Sequence, residues 1–410
     1  MFVISNEKTR LPIKIWLPQD ALPEESCMQQ AYRLASLPFL EQWVALMPDT
    51  HTGKGMPIGS VIASQEVVIP NAVGVDIGCG MGFVGTNVKA EELLHTETPN
   101  GPLLQAIIGD ILRSIPVGFS HHKKKQEAKC LDKALQEMEF YAENTELLAE
   151  MEDGYFQMGT LGGGNHFIEL QEDEDSNVGI MLHSSSRHFG NKICSLFNRK
   201  AAELNEKWHS GIPAEYRLPF LPLDTAEGRQ YLNWMNLALH FACENRSQML
   251  TKVQEIFEKW VGKFTSLSIA YGEEINCHHN YAAMEHHYGK NVLVYRKGAP
   301  RARDGEIALI PGAMGSYSYV VRGKGNPESF CSSSHGAGRH YSRSGAMQAF
   351  SCEEVMADLT RQGVVLGKHN KKDVAEESRF AYKDINEVMA HQADLVEPIK
   401  RLKTLGVVKG

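Results

Sequence analysis

The chain has 410 residues, which is enough for a large hydrophobic core and, by length alone, for two or three domains. Its composition is that of an ordinary soluble globular protein, with 42% hydrophobic residues, 22% charged residues and no low-complexity tract. The 42 basic residues are outnumbered by 50 acidic ones, and the resulting net charge of −8 gives no support to a nucleic-acid partner. A locally basic groove would still allow one.

The N-terminus and the cysteines indicate the compartment. Residues 1–8 include acidic and polar residues where a signal peptide needs an apolar core, and no apolar run approaches the ~20 residues that span a bilayer. The eight cysteines are scattered and include no Cys-x-x-Cys pair, which argues against a disulfide framework and against a zinc ribbon. We therefore expect a cytoplasmic protein with no membrane partner.

The first seventy residues predict mixed structure. Residues 13–17 alternate as in a strand, and residues 28–40 predict a helix that ends near a proline. Residues 47–55 predict a turn-rich loop carrying aspartate, histidine and lysine, a weak signal by itself. Residues 59–63 and 66–69 then predict a pair of strands.

The pair leads into residues 71–81, Asn-Ala-Val-Gly-Val-Asp-Ile-Gly-Cys-Gly-Met. This stretch packs three glycines around one carboxylate, Asp76, and one thiol, Cys79. The two groups, three residues apart, can meet on one side of a tight turn, as metal ligands often do. A buried glycine turn with a core cysteine explains the stretch equally well.

Residues 91–151 predict helices, with Leu131, Ala134, Leu135 and Met138 at helical spacing. The basic run at 121–125 is more often a solvated loop than a binding site, but it is the best candidate for a nucleic-acid contact outside the core.

Three histidine motifs follow. The glycine loop at 159–164 delivers Asn165, His166 and Glu169 into an apolar strand, where a lone histidine would more often be a core residue. A buried strand at 178–182 ends on His183, followed by three serines and Arg187, which suits a metal ligand beside an anion site.

After helical residues 191–264, which a proline-containing loop interrupts, the third motif pairs His278 and His279 beside two amides. Short strands dominate from residue 292 onward. The loop at 332–339, Ser-Ser-Ser-His-Gly-Ala-Gly-Arg, is well suited to hold phosphate on its backbone amides, with Arg339 as a clamp.

Strand and helix patterns interleave without regular βαβ alternation, and we see no repeat or linker. We therefore predict an α+β fold, a single large domain over residues 1–410 with mixed sheets and surrounding helices.

Five positions supply ligands for two metal ions: Asp76, Cys79, His166, His183 and one of His278 or His279. His335 is left as a nucleophile or proton carrier. From the residues alone we infer metal-assisted phosphoryl or nucleotidyl transfer. Zinc, iron, cobalt and manganese all suit this ligand set.

The motifs, taken together, resemble the RtcB family of RNA ligases. They are Gly-Val-Asp-Ile-Gly-Cys-Gly-Met, Gly-Asn-His-Phe-Ile-Glu, His-Ser-Ser-Ser-Arg, Asn-Cys-His-His-Asn-Tyr, Pro-Gly-Ala-Met-Gly, Ser-His-Gly-Ala-Gly-Arg and the terminal Val-Val-Lys-Gly. They occur in the family's order from about Met47 to Gly410. The resemblance implies an RtcB-like fold and an enzyme of RNA repair or tRNA processing. Such an enzyme seals RNA 3′-phosphate or 2′,3′-cyclic phosphate ends to 5′-hydroxyl ends, with GTP as co-substrate and two Mn²⁺ per chain.

The resemblance also implies residue roles. Asp76, Cys79 and His166 would hold one manganese, and Cys79, His183 and His279 the other. His335 would become guanylylated. The implied nucleotide contacts are Asn165, His166, Phe167, Ile168, Glu169, His279, Asn280, Pro311, Gly312, Ala313, Met314, Ser318, His335, Gly336, Ala337, Gly338, Arg339, Tyr382 and Lys409. Arg187, Arg339 and residues 121–125 are candidates for RNA phosphates.

Three positions depart from the family pattern. Ala313 replaces the serine of Pro-Gly-Ser-Met-Gly, and Ser185 replaces the glycine of His-(Ser/Thr)-Gly-Ser-Arg. Thr52 lies in a loop that commonly reads Asp-Val-His-(Leu/Ile/Gly)-Gly. Two rival functions remain: a dimetal phosphoesterase without covalent guanylylation, and a non-catalytic RNA-binding accessory protein.

Overall fold

The computed structural model describes residues 1–5, 7, 9–99, 101–137, 139, 141 and 143–410. Within them the strands are β1 (Phe2–Ile4), β2 (Ile13–Ile15), β3 (Leu40–His51), β4 (Ile58–Ser64), β5 (Val67–Val68), β6 (Gly80–Lys89), β7 (Glu97–Thr98), β8 (Gly101–Pro102), β9 (Phe167–Glu172), β10 (Asn177–Ser184), β11 (Leu221–Pro222), β12 (Ile275–His278), β13 (Asn280–His287), β14 (Lys290–Lys297), β15 (Ile307–Ile310), β16 (Tyr317–Gly323), β17 (Val365–Gly367) and β18 (Val396–Lys409). The α-helices are α1 (Glu25–Ala35), α2 (Pro70–Val73), α3 (Ala90–His95), α4 (Leu103–Ser114), α5 (Lys129–Gln136), α6 (Thr145–Gln157), α7 (Arg187–Lys207), α8 (Ala226–Phe264), α9 (Arg343–Ala349), α10 (Cys352–Arg361) and α11 (Ile385–His391).

Two large sheets organise these elements. The first has the order β1-β2-β3-β4-β14-β13, and the second has the order β12-β6-β10-β9-β18-β16-β15 with β17 beside β18. Most neighbours are antiparallel, whereas β2–β3 and β17–β18 are parallel. The sheets pack on each other through apolar side chains such as Val61 and Val294 of the first and Ile310 and Val321 of the second. Helices cover the other faces, which confirms the predicted α+β class with mixed sheets and surrounding helices.

Helix α8 is the longest element that supports the second sheet. Thr225 begins it as an N-cap whose hydroxyl accepts a hydrogen bond from Gly228 N at 3.1 Å. Val253, Ile256 and Phe257 recur at helical spacing along it and are buried. The packed face of α8 therefore lies against β6, β10 and β12, the strands that carry the site.

Several predicted boundaries were wrong. Strand β3 extends to His51, so the first half of the predicted 47–55 loop is strand. Strands β4 and β5 exist but belong to different sheets, because β4 pairs with β3 and β14, whereas β5 pairs with β11. The predicted helix at 28–40 is α1, which lies a few residues earlier. Met138 lies outside the described residues.

In the part of the chain that the structure describes, no helix is both long and apolar enough to cross a membrane.

Candidate metal and nucleotide site

The candidate site lies at the end of the second sheet where the predicted motifs meet. Strand β6 begins directly after Cys79 and is flanked by β10 and β12. In that register His183 pairs with Met81, and His278 pairs with the first residue of β6. His166 directly precedes β9, whose first residue pairs with His183. Strand pairing therefore brings together ligand residues that are far apart in the sequence.

Two groups of side chains approach metal-binding geometry. Oδ2 of Asp76 lies 3.6 Å from Nε2 of His166, and that nitrogen lies 3.6 Å from Sγ of Cys79. On the other side, Sγ of Cys79 lies 3.1 Å from Nε2 of His183, which lies 3.3 Å from Nε2 of His279. The structure thus brings together all five residues predicted as ligands, and Cys79 belongs to both groups.

The histidine rings are oriented for metal binding. Nδ1 of His166 lies 3.1 Å from the carbonyl oxygen of Leu161, and Nδ1 of His183 lies 3.2 Å from that of Asn165. A carbonyl oxygen can only accept, so each Nδ1 carries the proton and each Nε2 keeps a free lone pair. Burial holds the pKa of His183 and of His279 well below its usual value, which keeps these rings neutral.

These donors fit a metal ion better than they fit one another. Nε2 of His166 and Nε2 of His183 both present a lone pair to Sγ of Cys79, and the single thiol proton cannot satisfy both nitrogens. Donors bound tetrahedrally to one ion at roughly 2.0–2.3 Å stand roughly 3.3–3.8 Å apart, close to the spacings observed here. Burial, together with the charge of Asp76, raises the pKa of the Cys79 thiol, so a bound ion would have to displace its proton.

A buried arginine of α8 supports the ligands from behind. Nη1 of Arg246 donates to the carbonyl oxygens of Gly78 at 2.8 Å and Ser184 at 3.0 Å. Its Nη2 donates to Nδ1 of His278 at 3.0 Å, and its Nε to the side chain of Asn276 at 2.8 Å. Three of these partners are sequence neighbours of predicted metal ligands. The guanidinium therefore fixes three ligand-bearing segments relative to one another, and His278 is a partner of Arg246 rather than a member of either ligand group.

The predicted nucleophile, His335, is oriented by an aspartate. Oδ2 of Asp49 lies 2.6 Å from Nδ1 of His335 and accepts its backbone N–H at 3.1 Å. Nδ1 therefore carries the proton, and Nε2 is left with a free lone pair. Gly338 packs on Asp49 with a φ of +74°, where a Cβ would lie 2.2 Å from the carbonyl oxygen of Asp49. The ring centroids of His335 and His279 lie 4.8 Å apart, so the predicted nucleophile and a predicted ligand are in contact.

A cavity of about 550 Å³ opens beside His335, within the size range of small-molecule sites. Most of the predicted nucleotide contacts line it: Asn165, Phe167, Glu169, Pro311, Gly312, Ala313, Met314, His335, Gly336, Ala337, Gly338, Arg339, Tyr382 and Lys409. His166 and His279 belong to the ligand groups instead.

Three predicted contacts lie behind the cavity wall. Ile168 is fully buried in the core beneath the second sheet. Asn280 donates to the carbonyl oxygen of Asp76 at 3.1 Å and accepts from Gly298 N at 2.6 Å, so its side chain connects two loops of the site. The hydroxyl of Ser318 accepts from Gln171 and from the backbone of residue 312, so it supports the wall.

One carboxylate, Glu377, joins three predicted nucleotide residues. Its Oε1 lies 3.2 Å from Nη1 of Arg339, and its Oε2 accepts from the hydroxyl of Tyr382 at 2.5 Å. Lys409, near the end of β18, is buried with Nζ 3.5 Å from Oε2 of Glu377 and 3.2 Å from the carbonyl oxygen of Gly164. Because β18 pairs with β9, this terminus is held as a strand of the second sheet.

Known proteins are similar in sequence to this chain along almost its whole length. A family model described as tRNA-splicing ligase RtcB matches residues 30–410. A protein of Escherichia coli K12 named RNA-splicing ligase RtcB is 38% identical over 97% of both chains. A tRNA-splicing ligase RtcB of Methanococcus maripaludis is 30% identical over 94% of this chain and 92% of its own. An RNA-splicing ligase RtcB of Mycobacterium tuberculosis is 31% identical over 93% of this chain and all of its own.

The chain belongs to the RtcB family.

The three departures from the RtcB pattern all lie at the site. The hydroxyl of Ser185, two residues after His183, accepts a hydrogen bond from Arg187 N at 3.3 Å. The hydroxyl of Thr52 lies 2.6 Å from that of Ser26 at the cavity rim. Ala313 lines the cavity with a methyl group where a serine would offer a hydroxyl.

Sequence reasoning missed three supporting residues of this RtcB-family site. Asp49 lies in the stretch Pro-Asp-Thr-His, within residues 47–55, for which the sequence predicts a loop and no function. Its closeness to a histidine in the sequence is the one feature that could have indicated a functional role. Glu377 lies in an ordinary pair of glutamates, and Arg246 lies in the middle of α8. The last two have partners that only the tertiary structure brings near.

Proposed function

We propose that the chain is a GTP- and manganese-dependent RNA ligase that forms one domain over residues 1–410. It joins RNA 3′-phosphate or 2′,3′-cyclic phosphate ends to 5′-hydroxyl ends in RNA repair or tRNA splicing in the cytoplasm. Splicing of RNA is the activity in the names of the family model and of the relatives. Five side chains at ligand spacing beside an oriented histidine support the assignment to this cavity.

The orientation of His335 is the observation that carries the proposal. Asp49 occupies Nδ1, and this leaves Nε2 as an unprotonated nitrogen at the cavity. A neutral imidazole nitrogen is a competent nucleophile toward phosphorus. The carboxylate also stabilises the positive charge that develops on the ring as Nε2 forms its new bond.

Asp76, Cys79 and His166 would hold one Mn²⁺, and Cys79, His183 and His279 the other. Bound there, the ions would supply Lewis-acid stabilisation of phosphate oxygens. The chain itself keeps His183 and His279 neutral and holds the five side chains close together, and the proton of the Cys79 thiol would leave when an ion binds.

The cavity residues suit GTP. The glycine-rich segment 336–338 offers close backbone approach to phosphate, and Arg339 supplies a cation there. Guanine presents two N–H donors and one carbonyl acceptor on one edge. Glu169 and Lys409, which both line the cavity, offer the complementary acceptor and donor.

The reaction then takes three steps. Nε2 of His335 attacks the α-phosphorus of GTP, an N–P bond forms, and the bond to pyrophosphate breaks. The RNA 3′-phosphate oxygen next attacks that phosphorus, which returns Nε2 to its free state and leaves the RNA end capped with GMP. The 5′-hydroxyl finally attacks the activated 3′-phosphorus, GMP leaves, and the hydroxyl proton passes to solvent. A cyclic end must first be opened by water to the 3′-phosphate.

Incubation with GTP labelled at the α-phosphate and with Mn²⁺, followed by denaturing electrophoresis, tests the proposal. We expect a labelled, acid-labile adduct that His335→Ala abolishes while metal content stays near that of wild type. The exposed His209 provides the matched control, since His209→Ala should label normally. A dimetal phosphoesterase would form no adduct, and an accessory RNA-binding protein would need neither metal nor GTP. Label retained on His335→Ala would move the nucleophile elsewhere.

A further inference from the structure

The loop between α4 and α5 exposes an aromatic side chain that the site description does not use. Phe119 is 105% exposed, almost twice as much as Met284, the next large hydrophobic side chain in the described part of the chain, at 57%. A phenylalanine with no packing partner gains nothing from the fold, and its exposure to water is unfavourable. Phe119 is therefore a candidate contact for a ligand with an apolar face.

The loop is attached to the candidate site through its backbone. Gly118 N donates to the carbonyl oxygen of Gly162 at 2.8 Å, and Gly118 O accepts from Nη2 of Arg187 at 2.9 Å. Leu161 N donates to the carbonyl oxygen of Pro116 at 2.9 Å. Residues 161–164 lead directly to Asn165, which lines the cavity. Phe119 thus follows a residue that is hydrogen-bonded to the loop that leads to His166, one of the predicted metal ligands.

Free cations follow Phe119 within a few residues. Lys123 and Lys124 are exposed, and no carboxylate is paired with either among the described residues, whereas the neighbouring Lys125 forms an ion pair with Glu152. In a chain of net charge −8, two unpaired lysines this close to Phe119 in the sequence give the loop a local attraction for an anionic chain.

We propose that Phe119 is a stacking platform for an unpaired base of the RNA substrate, and that Lys123 and Lys124 hold the adjoining phosphates. Exposed aromatic rings that stack on bases, flanked by cations that follow the backbone, are how proteins bind single-stranded RNA. This inference rests on the proposed ligase function and adds a contact outside the cavity. It predicts that the enzyme prefers ends whose terminal bases are unpaired.

The test measures binding of a single-stranded RNA with a 3′-phosphate by fluorescence anisotropy, without GTP. One base stack is worth about 1–3 kcal/mol, so Phe119→Ala should weaken binding about 5- to 150-fold. Phe119→Trp should bind at least as well as wild type. Trp208→Ala removes another exposed aromatic, at 42% exposure, and should change nothing. Replacing Lys123 and Lys124 together by alanine should reduce the slope of log affinity against log salt by about 1.4, that is, about 0.7 for each phosphate contact.

RNAs that carry one abasic nucleotide at successive positions identify the stacked base. At the position of that base, the abasic nucleotide should weaken binding to wild type but not to Phe119→Ala, because the two changes remove the same contact. Equal effects of the abasic nucleotide on both proteins, or wild-type affinity of Phe119→Ala, would overturn the proposal. Guanylylation of His335 with GTP alone should be unchanged in Phe119→Ala, so failure of the ligase chemistry and failure of the stacking contact give different results.

Discussion

Replacing Arg246 by methionine should damage the metal site more than the fold. Methionine fills a similar volume but leaves the carbonyl oxygens of Gly78 and Ser184 without their donor. A buried polar group left unpaired costs about 1–3 kcal/mol, so two such groups cost about 2–6 kcal/mol. A typical domain has only about 5–15 kcal/mol of stability, so the variant should fold but unfold at markedly lower denaturant. Because the released carbonyls adjoin Cys79 and His183, the second ligand group should lose its geometry.

The assay measures Mn²⁺ stoichiometry and affinity by calorimetry, together with chemical denaturation in the presence of a chelator. Arg246→Met should lose at least the ion of the second group, and Arg246→Lys should recover part of the affinity, since lysine keeps the charge but lacks the fork that reaches both carbonyls. Arg296→Met is the matched control, because Arg296 is equally buried but donates to Glu285 and to the carbonyl of Phe330, away from the ligands. It should lose stability and keep its metals. Wild-type metal affinity in Arg246→Met, or equal metal loss in Arg296→Met, would refute the reasoning.

Cys79→Ala should lower metal stoichiometry at both groups, whereas His183→Ala should affect mainly one, because only Cys79 belongs to both; equal losses in metal titrations would argue against a bridging thiolate. Burial raises the pKa of Glu169 to about 7 from its usual 4.5. The stability that its protonated form contributes is therefore complete below about pH 4.5 and is lost as the pH rises through 7, by about 3 kcal/mol. In metal-free protein, denaturation from pH 4.5 to 8 should show a smaller decline for Glu169→Gln than for wild type, and parallel curves would exclude this carboxyl as the cause. Deleting Lys409 and Gly410 should slow guanylylation strongly at limiting GTP without unfolding the chain, and labelling at the wild-type rate would remove Lys409 from the nucleotide site.

The sequence allowed prediction of the ligand residues because each lies in a short motif that combines histidine, cysteine or aspartate with glycines, serines or amides. Of the strands beside them, β9 after His166 and β10 around His183 were predicted, whereas β6 and β12, beside Cys79 and His279, were not. The pairing of these strands could not be predicted, since it depends on contacts between distant segments. For the same reason β4 and β5 were wrongly paired: both have the right residues for strands, but hydrogen bonds with distant segments decide which sheet each joins.

Two residues to which sequence reasoning gave no role, Arg246 and Lys383, act on functional groups through the backbone. Nζ of Lys383 donates to the carbonyl oxygens on both sides of Asp49, at 3.1 and 2.9 Å, and Arg246 donates to carbonyls next to Cys79 and His183. If the cation formed a direct ion pair with the functional side chain, that side chain would no longer be available for its own role. Binding to the neighbouring carbonyls instead fixes the position of the segment and keeps a positive charge nearby, while the Asp49 carboxylate stays free to orient His335 and the Cys79 sulfur stays free for a metal ion. Because such support leaves no motif in the sequence, it becomes visible only when the hydrogen bonds of the folded chain are followed.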